Sequence, residues 1–217
     1  MRELQALIFD LDGVITDTEP LHAEAEHLAC LDFGFEVPRS EWHAFKGLTD
    51  AAIFRKAVAE YAGRDIPIAD LIERKLVHYF RLTSERLPLV PGVVEFIRLA
   101  RPKFAKIGLA TSSLAPVQRA IFDAYRLHDY FDAVVTAEDV MHGKPHPEPY
   151  LLAAKRLKIE PAACLVIEDS DNGIRSALAA GCRAAGITTT FPRERLLELS
   201  ANPVVDTYPE LAQRLGL

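Results

Sequence analysis

The sequence predicts a doubly wound α/β fold, a parallel sheet with helices on both faces, carrying a small inserted α-helical cap domain. Three observations carry that prediction. Short, nearly continuous apolar runs recur along the chain, as expected of strands covered on both faces. Segments with apolar spacing near three and four lie between them, an alternation that builds a parallel sheet. Each run ends in polar residues, on the edge where such sheets bind ligands.

Taken in order, the first run, 4–9, ends at Asp10-Leu11-Asp12-Gly13. Run 106–110 ends at Thr111-Ser112-Ser113, run 133–135 at Thr136, and run 164–167 at Glu168-Asp169-Ser170. A fifth run, 183–187, ends at Thr188. Helices are predicted over 93–100, 115–125, 149–157 and 172–180, with Pro116 early in its helix and Gly181 as a helix stop. About 70 residues separate the first strand from the next helix, too many for a structureless loop in a compact domain. They read as helices over 20–31, 50–61 and 69–83, a cap that leans on the core for stability. The expected division is therefore 1–17 and 88–217 for the α/β core and 18–87 for the cap. The proline-marked stretch 87–92 forms a stiff connector and second hinge.

The chain has 217 residues, of which 49% are hydrophobic, enough to bury a core. Its net charge of −6 argues against a general binder of nucleic acid or anionic membrane. The first apolar run is short and ends in Asp10, so no signal peptide is expected. No run approaches a membrane span. Cys30, Cys164 and Cys182 are an odd count without C-x-x-C spacing, which gives no disulfide or zinc framework. Cys164 opens an apolar run and is expected in the core rather than as a nucleophile. A reduced, cytoplasmic monomer is the expectation.

Two carboxylates at a strand tip, Asp10 and Asp12, are costly unless a cation or proton compensates them. Metal binding, nucleophilic attack and acid–base work are the natural uses. Singly, Asp12-Gly13 reads as a turn, Thr111-Ser112-Ser113 as a helix cap and Lys144 as a loop lysine. Together, Asp10-Leu11-Asp12-Gly13-Val14, Thr111-Ser112-Ser113, Lys144-Pro145 and Glu168-Asp169-Ser170-Asp171-Asn172-Gly173 follow one another at successive strand ends. In order and spacing they resemble the four motifs of the haloacid dehalogenase-like phosphohydrolases. Stretch 16–22, Thr-Asp-Thr-Glu-Pro-Leu-His, and the cap's position are similar to the β-phosphoglucomutase branch and its sugar-phosphate phosphatases.

The resemblance implies a Rossmann-like core and a Mg²⁺-dependent phosphatase acting on a small phosphorylated metabolite: a sugar, polyol or short acid phosphate. Asp10, Asp12, Glu168 and Asp169 against Lys144 leave a surplus of negative charge that would repel a phosphate dianion. A divalent cation offsets it, and all-oxygen ligands favour Mg²⁺ over zinc. By resemblance, Asp10 is the nucleophile that forms an aspartyl-phosphate, and Asp12 is the acid and base. Thr111 and Lys144 hold phosphoryl oxygens, as do the backbone N–H groups of Leu11 and Ser112. Asp10, the Asp12 carbonyl, Glu168 and Asp169 surround the metal. His22, Lys46 and Gly47 are the cap residues expected to face substrate.

Other residues carry less. Trp42 and Phe45 are expected to pack the cap, His142 and His146 to be loop structure, and the acidic and basic residues around Glu194 to Glu198 to be a solvated helix face. A β-phosphoglucomutase-like mutase is the alternative activity. The cations that this pattern supplies for a second phosphate are replaced here by Asp50 and Leu114. A like charge at 6 Å costs about 3 kcal/mol at an effective dielectric of 20, which favours hydrolysis. A 2-haloacid dehalogenase needs neither Asp12 nor a metal cluster. A phospho-accepting receiver domain lacks both the cap and an acidic pair after Lys144.

Overall fold

A computed structural model of the chain describes residues 3–45, 48–84 and 87–217. Lys46 and Gly47 lie outside the described residues. Six strands, β1 (Ala6–Phe9), β2 (Lys106–Ala110), β3 (Ala133–Val135), β4 (Cys164–Glu168), β5 (Arg183–Ile187) and β6 (Val204–Val205), form one sheet. Its order is β3-β2-β1-β4-β5-β6 and every pairing is parallel. The chain winds outward to one side of β1 and then to the other, so the switch point lies between β1 and β4, where ligands of such sheets bind. Phe9 is in register with Leu109 and Ile167. Asp10 and Glu168, which follow directly, and Thr111, one residue further on, are thereby brought to one edge.

The strands are buried on both faces because successive side chains alternate. Leu7, Phe9, Leu109 and Ile167 join Phe96 of α4 (Val93–Ala100), Ile121 of α5 (Ala115–Tyr125) and Leu211 of α9 (Tyr208–Leu215). Ala6, Ile8 and Val166 join Tyr150 of α6 (Glu148–Leu157), Ile174 of α7 (Asp171–Ala179) and Leu196 of α8 (Arg193–Glu198). Leu7, Ile8 and Phe9 are each fully buried, and burying such a side chain stabilises by about 1.5–3 kcal/mol.

Between β1 and α4 the described residues include three further α-helices, α1 (Glu19–Asp32), α2 (Asp50–Ala57) and α3 (Ile68–Thr83). They share an apolar cluster that includes Cys30, Phe35, Trp42, Phe45, Phe54 and Leu71. Ala25 of α1 and Tyr79 of α3 instead join the cluster under the sheet, which ties this helical insert to the core. The two connecting strands of chain run side by side: Asp17 N–H donates to the Pro88 carbonyl (2.9 Å) and Val90 N–H to the Ile15 carbonyl (3.0 Å). No helix among the described residues is long and apolar enough to cross a membrane.

The expected helix over 50–61 is α-helical only to Ala57 and continues as one π-helical turn, Val58–Ala62, before Gly63 turns the chain at φ 62°. β6 and α9 have no counterpart in the expected elements. β6 has two residues, below what periodicity reveals. α9 does carry signals: Thr207 caps it, Pro209 sits in its first turn and Gly216 ends it.

Candidate active site

Asp10 continues β1 by one residue, its N–H donating to the Ile167 carbonyl at 3.1 Å. The chain then folds over Leu11, whose carbonyl accepts from the N–H groups of Val14, Ile15 and Thr16. Gly13 makes this turn at φ 77°, and a Cβ there would fall 1.8 Å from Asp169 Oδ2. The glycine is therefore needed both for its backbone conformation and for the approach of Asp169.

The loop after β3 delivers Lys144, whose side chain is almost wholly buried. Its Nζ lies 2.8 Å from Asp10 Oδ1 and 2.6 Å from Glu168 Oε1. The contact to Asp10 is an ion pair without hydrogen-bond alignment, and Asp10 Oδ1 has no hydrogen-bond partner. Glu168, by contrast, is saturated. Oε1 also accepts from Tyr150 Oη at 2.6 Å, and Oε2 accepts from the Ser170 hydroxyl and the N–H groups of Asp169 and Ser170. Gly173 makes room for it, since a Cβ there would fall 1.8 Å from Glu168 Oε1.

These surroundings set the charges. Burial dominates at Asp10 and, with Glu168 beside it, pushes the carboxyl up to about 8 against the pull of Lys144. Asp169 is raised well above the usual range by burial and by the charges of Glu168, Glu19 and Asp10. Burial opposes ionisation of Glu168 too, but Lys144, Tyr150 and Ser170 outweigh it and hold the carboxyl below its ordinary value. At Lys144 burial is overcome by Asp10 and Glu168, which hold the ammonium above the ordinary lysine range.

Asp12 turns the other way. Its Oδ1 accepts from Thr18 Oγ1 (2.6 Å) and His22 Nε2 (3.0 Å), and its Oδ2 from Ser113 Oγ (2.6 Å). Burial again opposes ionisation, but His22, Ser113 and Thr18 outweigh it and hold the carboxyl far below the usual carboxylate range. Lys75 Nζ lies 2.8 Å from His22 Nδ1. An ammonium can only donate, so Nδ1 accepts and Nε2 carries the proton given to Asp12. Lys75 also reaches both oxygens of Asp50, at 2.9 and 3.0 Å.

The structure thus brings Asp10, Glu168 and Asp169 together, with ligand atoms all within 4.8 Å of one another. The Asp12 carboxylate is not in that cluster. Asp169 Oδ2 is buried without a hydrogen-bond partner, like Asp10 Oδ1. Two unsatisfied carboxylate oxygens beside a saturated Glu168 fit a hard divalent cation, and Asp10 and Asp169 are the residues that would hold it. Thr111 is 3% exposed and its hydroxyl accepts from Ser113 N–H at 2.9 Å. It does not cap α5, whose Ala115 N–H is met by the Glu138 carboxylate. Asp10, Asp12, Thr111, Ser112 and Ser113 line a narrow cavity of about 50 Å³ between the sheet edge and the insert, faced by His22. Leu11 is buried in the core cluster.

Trp42 and Phe45 are 6% and 1% exposed in the apolar cluster of the insert, and both also line the cavity, so packing and pocket share them. His142, His146 and Glu148 come close together at the surface. Glu148 and His146 already accept hydrogen bonds within the loop. Glu148 accepts from the N–H groups of Met141 and His142, and His146 Nδ1 accepts from Glu148 N–H. Those bonds fasten the loop to α6. Sequence reasoning missed Tyr150, Thr18 and Lys75 as site residues. Lys75 had a signal: it lies between Leu71 and Tyr79 on the buried stripe of α3, where a lysine is out of place.

A family model described as haloacid dehalogenase-like hydrolase matches residues 4–181. The chain belongs to the haloacid dehalogenase-like hydrolases. It is 32% identical to hexitol phosphatase B of Escherichia coli O157:H7 over 214 residues, 98% of this chain and 96% of that protein. It is 29% identical to phosphoglycolate phosphatase of Salmonella typhi over 238 residues, 100% of this chain and 94% of that protein. Among solved structures it resembles a putative β-phosphoglucomutase from Bacteroides vulgatus (TM-score 0.84, 28% identity, 99% and 88% of the two chains). It also resembles CbbY from Rhodobacter sphaeroides in complex with phosphate (TM-score 0.83, 26% identity, 96% of each chain). As a haloacid dehalogenase-like hydrolase with phosphatase relatives along its whole length, the chain is a phosphoric monoester hydrolase acting on small phosphorylated metabolites.

Proposed function

We propose that the chain is a Mg²⁺-dependent phosphatase that works through an aspartyl-phosphate on Asp10. The observation that supports this most is the pair of buried, unsatisfied oxygens on Asp10 and Asp169, set beside the fully hydrogen-bonded Glu168. When bound between Asp10 and Asp169, Mg²⁺ would supply positive charge that offsets the carboxylates and a phosphoryl group.

Asp10 attacks phosphorus and the bond to the leaving oxygen breaks. Lys144, pinned by Glu168, holds the Asp10 carboxylate and meets the phosphoryl oxygens with Thr111 and the backbone N–H groups of Leu11 and Ser112. Asp12 gives a proton to the leaving oxygen and then takes one from the water that opens the aspartyl-phosphate. In the hydrogen-bonded state described above Asp12 is the base. An incoming phosphate dianion raises its proton affinity by like charge, which favours the acid form for the first step. Residues 18–87 act as a cap over the pocket, where His22 reaches Asp12 and excludes bulk water, and Lys46 and Gly47 are placed by resemblance over the substrate.

The test is phosphate release from a panel of sugar, polyol and short acid phosphates, with Mg²⁺ and with a chelator, by wild type and Asp10→Asn. Release that needs Mg²⁺ and is lost in the variant supports the reading. Equal release by the variant overturns the nucleophile.

A further inference from the structure

The loop that delivers Lys144 carries two histidines that phosphoryl transfer does not use, His142 and His146. His146 N–H donates to the Gly143 carbonyl at 3.0 Å. That turn brings the two rings together, with centroids 4.6 Å apart and planes 34° from parallel. Glu148, the first residue of α6, adds a carboxylate. One ligand atom of each residue lies within 4.8 Å of those of the other two. Glu148 Oε2 is 3.1 Å from His142 Nδ1 and 3.9 Å from His146 Nδ1. Zinc, with bonds of about 2.0–2.1 Å to nitrogen and oxygen, sets tetrahedral ligand atoms about 3.3 Å apart. The first separation is close to that spacing, and the second needs only a small rotation of a half-exposed ring.

The donors suit a cation as they stand. A carboxylate only accepts, so His142 Nδ1 carries a proton towards Glu148 Oε2. A cation in that proton's place leaves Oε2 with the same number of partners, and the neutral ring keeps its proton on Nε2. The Met141 N–H, with the ring and N–H of His142, holds the Glu148 carboxyl below its usual range, so it is ionised at neutral pH. Only the bond from Glu148 N–H to His146 Nδ1, at 3.2 Å, is displaced, and water reaches that exposed position. Imidazole nitrogens select ions of the zinc, cobalt, nickel and copper class, whereas Mg²⁺ seeks oxygen. We propose that His142, His146 and Glu148 form a binding site for a zinc-class divalent cation, separate from the carboxylate cluster at Asp10, that clasps the loop presenting Lys144. Water completes the coordination. Inside the clasp Lys144 runs to Asp10 and Glu168, and Gly143 lies so close to the insert that a Cβ would fall 2.7 Å from Thr49 Cγ2. The ion therefore steadies both contacts.

Titration calorimetry with Zn²⁺, run in excess Mg²⁺ to fill the Asp10 cluster, tests it without any substrate. Wild type is expected to bind one Zn²⁺. His142→Gln and His146→Gln are each expected to weaken that binding by about tenfold or more, and Asp169→Asn to leave it unchanged. Both rings are exposed, their side chains at 65% and 50%, so neither histidine variant threatens the fold. No binding in wild type, binding that survives both histidine variants, or an affinity that falls in Asp169→Asn instead overturns the site. Amide hydrogen exchange over 142–148 reads the clasp. Zn²⁺ is expected to slow it in wild type and to lose that effect in the double variant His142→Gln/His146→Gln. Binding that leaves exchange in the loop unchanged overturns the clasp.

Discussion

Asp10 and Asp12, two residues apart, meet opposite surroundings: Asp10 shares the ammonium of Lys144 with Glu168, whereas Asp12 is ringed by the donors Thr18, His22 and Ser113. Asp10 Oδ1 accepts no hydrogen bond, whereas both oxygens of Asp12 do. Replacing Asp12 should therefore separate the two chemical steps. Asp12→Asn is expected to lose about 10²–10⁴-fold in turnover of an alkyl phosphate. With acetyl phosphate, whose leaving group needs little protonation, it is expected to form a phosphoenzyme that hydrolyses slowly. Rapid-quench kinetics with both substrates check this.

Lys144 neutralises a buried pair, and its removal leaves Glu168 charged and enclosed. Breaking a buried ion pair on one side typically costs about 3–5 kcal/mol. Lys144→Met is expected to lose that much stability in urea denaturation. The double variant Lys144→Met/Glu168→Gln is expected to recover part of the loss while remaining inactive.

Gly13 is fixed by two independent constraints, a φ of 77° and a Cβ position 1.8 Å from Asp169 Oδ2. Gly13→Ala is expected to destabilise the fold by about 1–3 kcal/mol. It should also displace Asp169, so the stabilisation that wild type gains from added Mg²⁺ should shrink. Thermal unfolding of both proteins with and without Mg²⁺ measures the two effects together.

Much of this site was legible because it hangs on sheet geometry. Runs ending at Asp10, Thr111 and Glu168 could be aligned by eye, and the register brings those three residues to one edge. What surrounds them was not legible. Tyr150 reaches Glu168 from α6, and Thr18 reaches Asp12 from the start of the insert. Neither contact has a sequence period, since each depends on how separate elements pack. The same holds for the division of the carboxylates. The resemblance gives Asp12 to the metal through its backbone carbonyl; its carboxylate turns to His22, and the side chains of Asp10, Glu168 and Asp169 form the cluster.

Away from the site, Asp132 supports the start of β2. Its carboxylate accepts from Arg101 (2.6 Å), Lys106 (2.9 Å) and the Ile107 N–H (2.9 Å). Partial burial opposes ionisation, but these donors outweigh it and hold the carboxyl at about 2. A carboxyl depressed in the folded state stabilises above its unfolded value, near 4, and that stability is lost as pH falls towards 2. Asp132→Asn is expected to be less stable than wild type by about 1 kcal/mol at pH 7. The difference should shrink between about pH 4 and pH 2, as read from denaturation at a series of pH values.

The central claim is that Asp10 becomes covalently phosphorylated. Intact-mass and peptide mass spectrometry of the acid-quenched enzyme, mixed briefly with acetyl phosphate and Mg²⁺, tests it most directly. The account predicts one added phosphoryl group located on Asp10, retained longer in Asp12→Asn and absent from Asp10→Asn. A phosphoryl group on another residue, or rapid turnover by Asp10→Asn without any adduct, would contradict it.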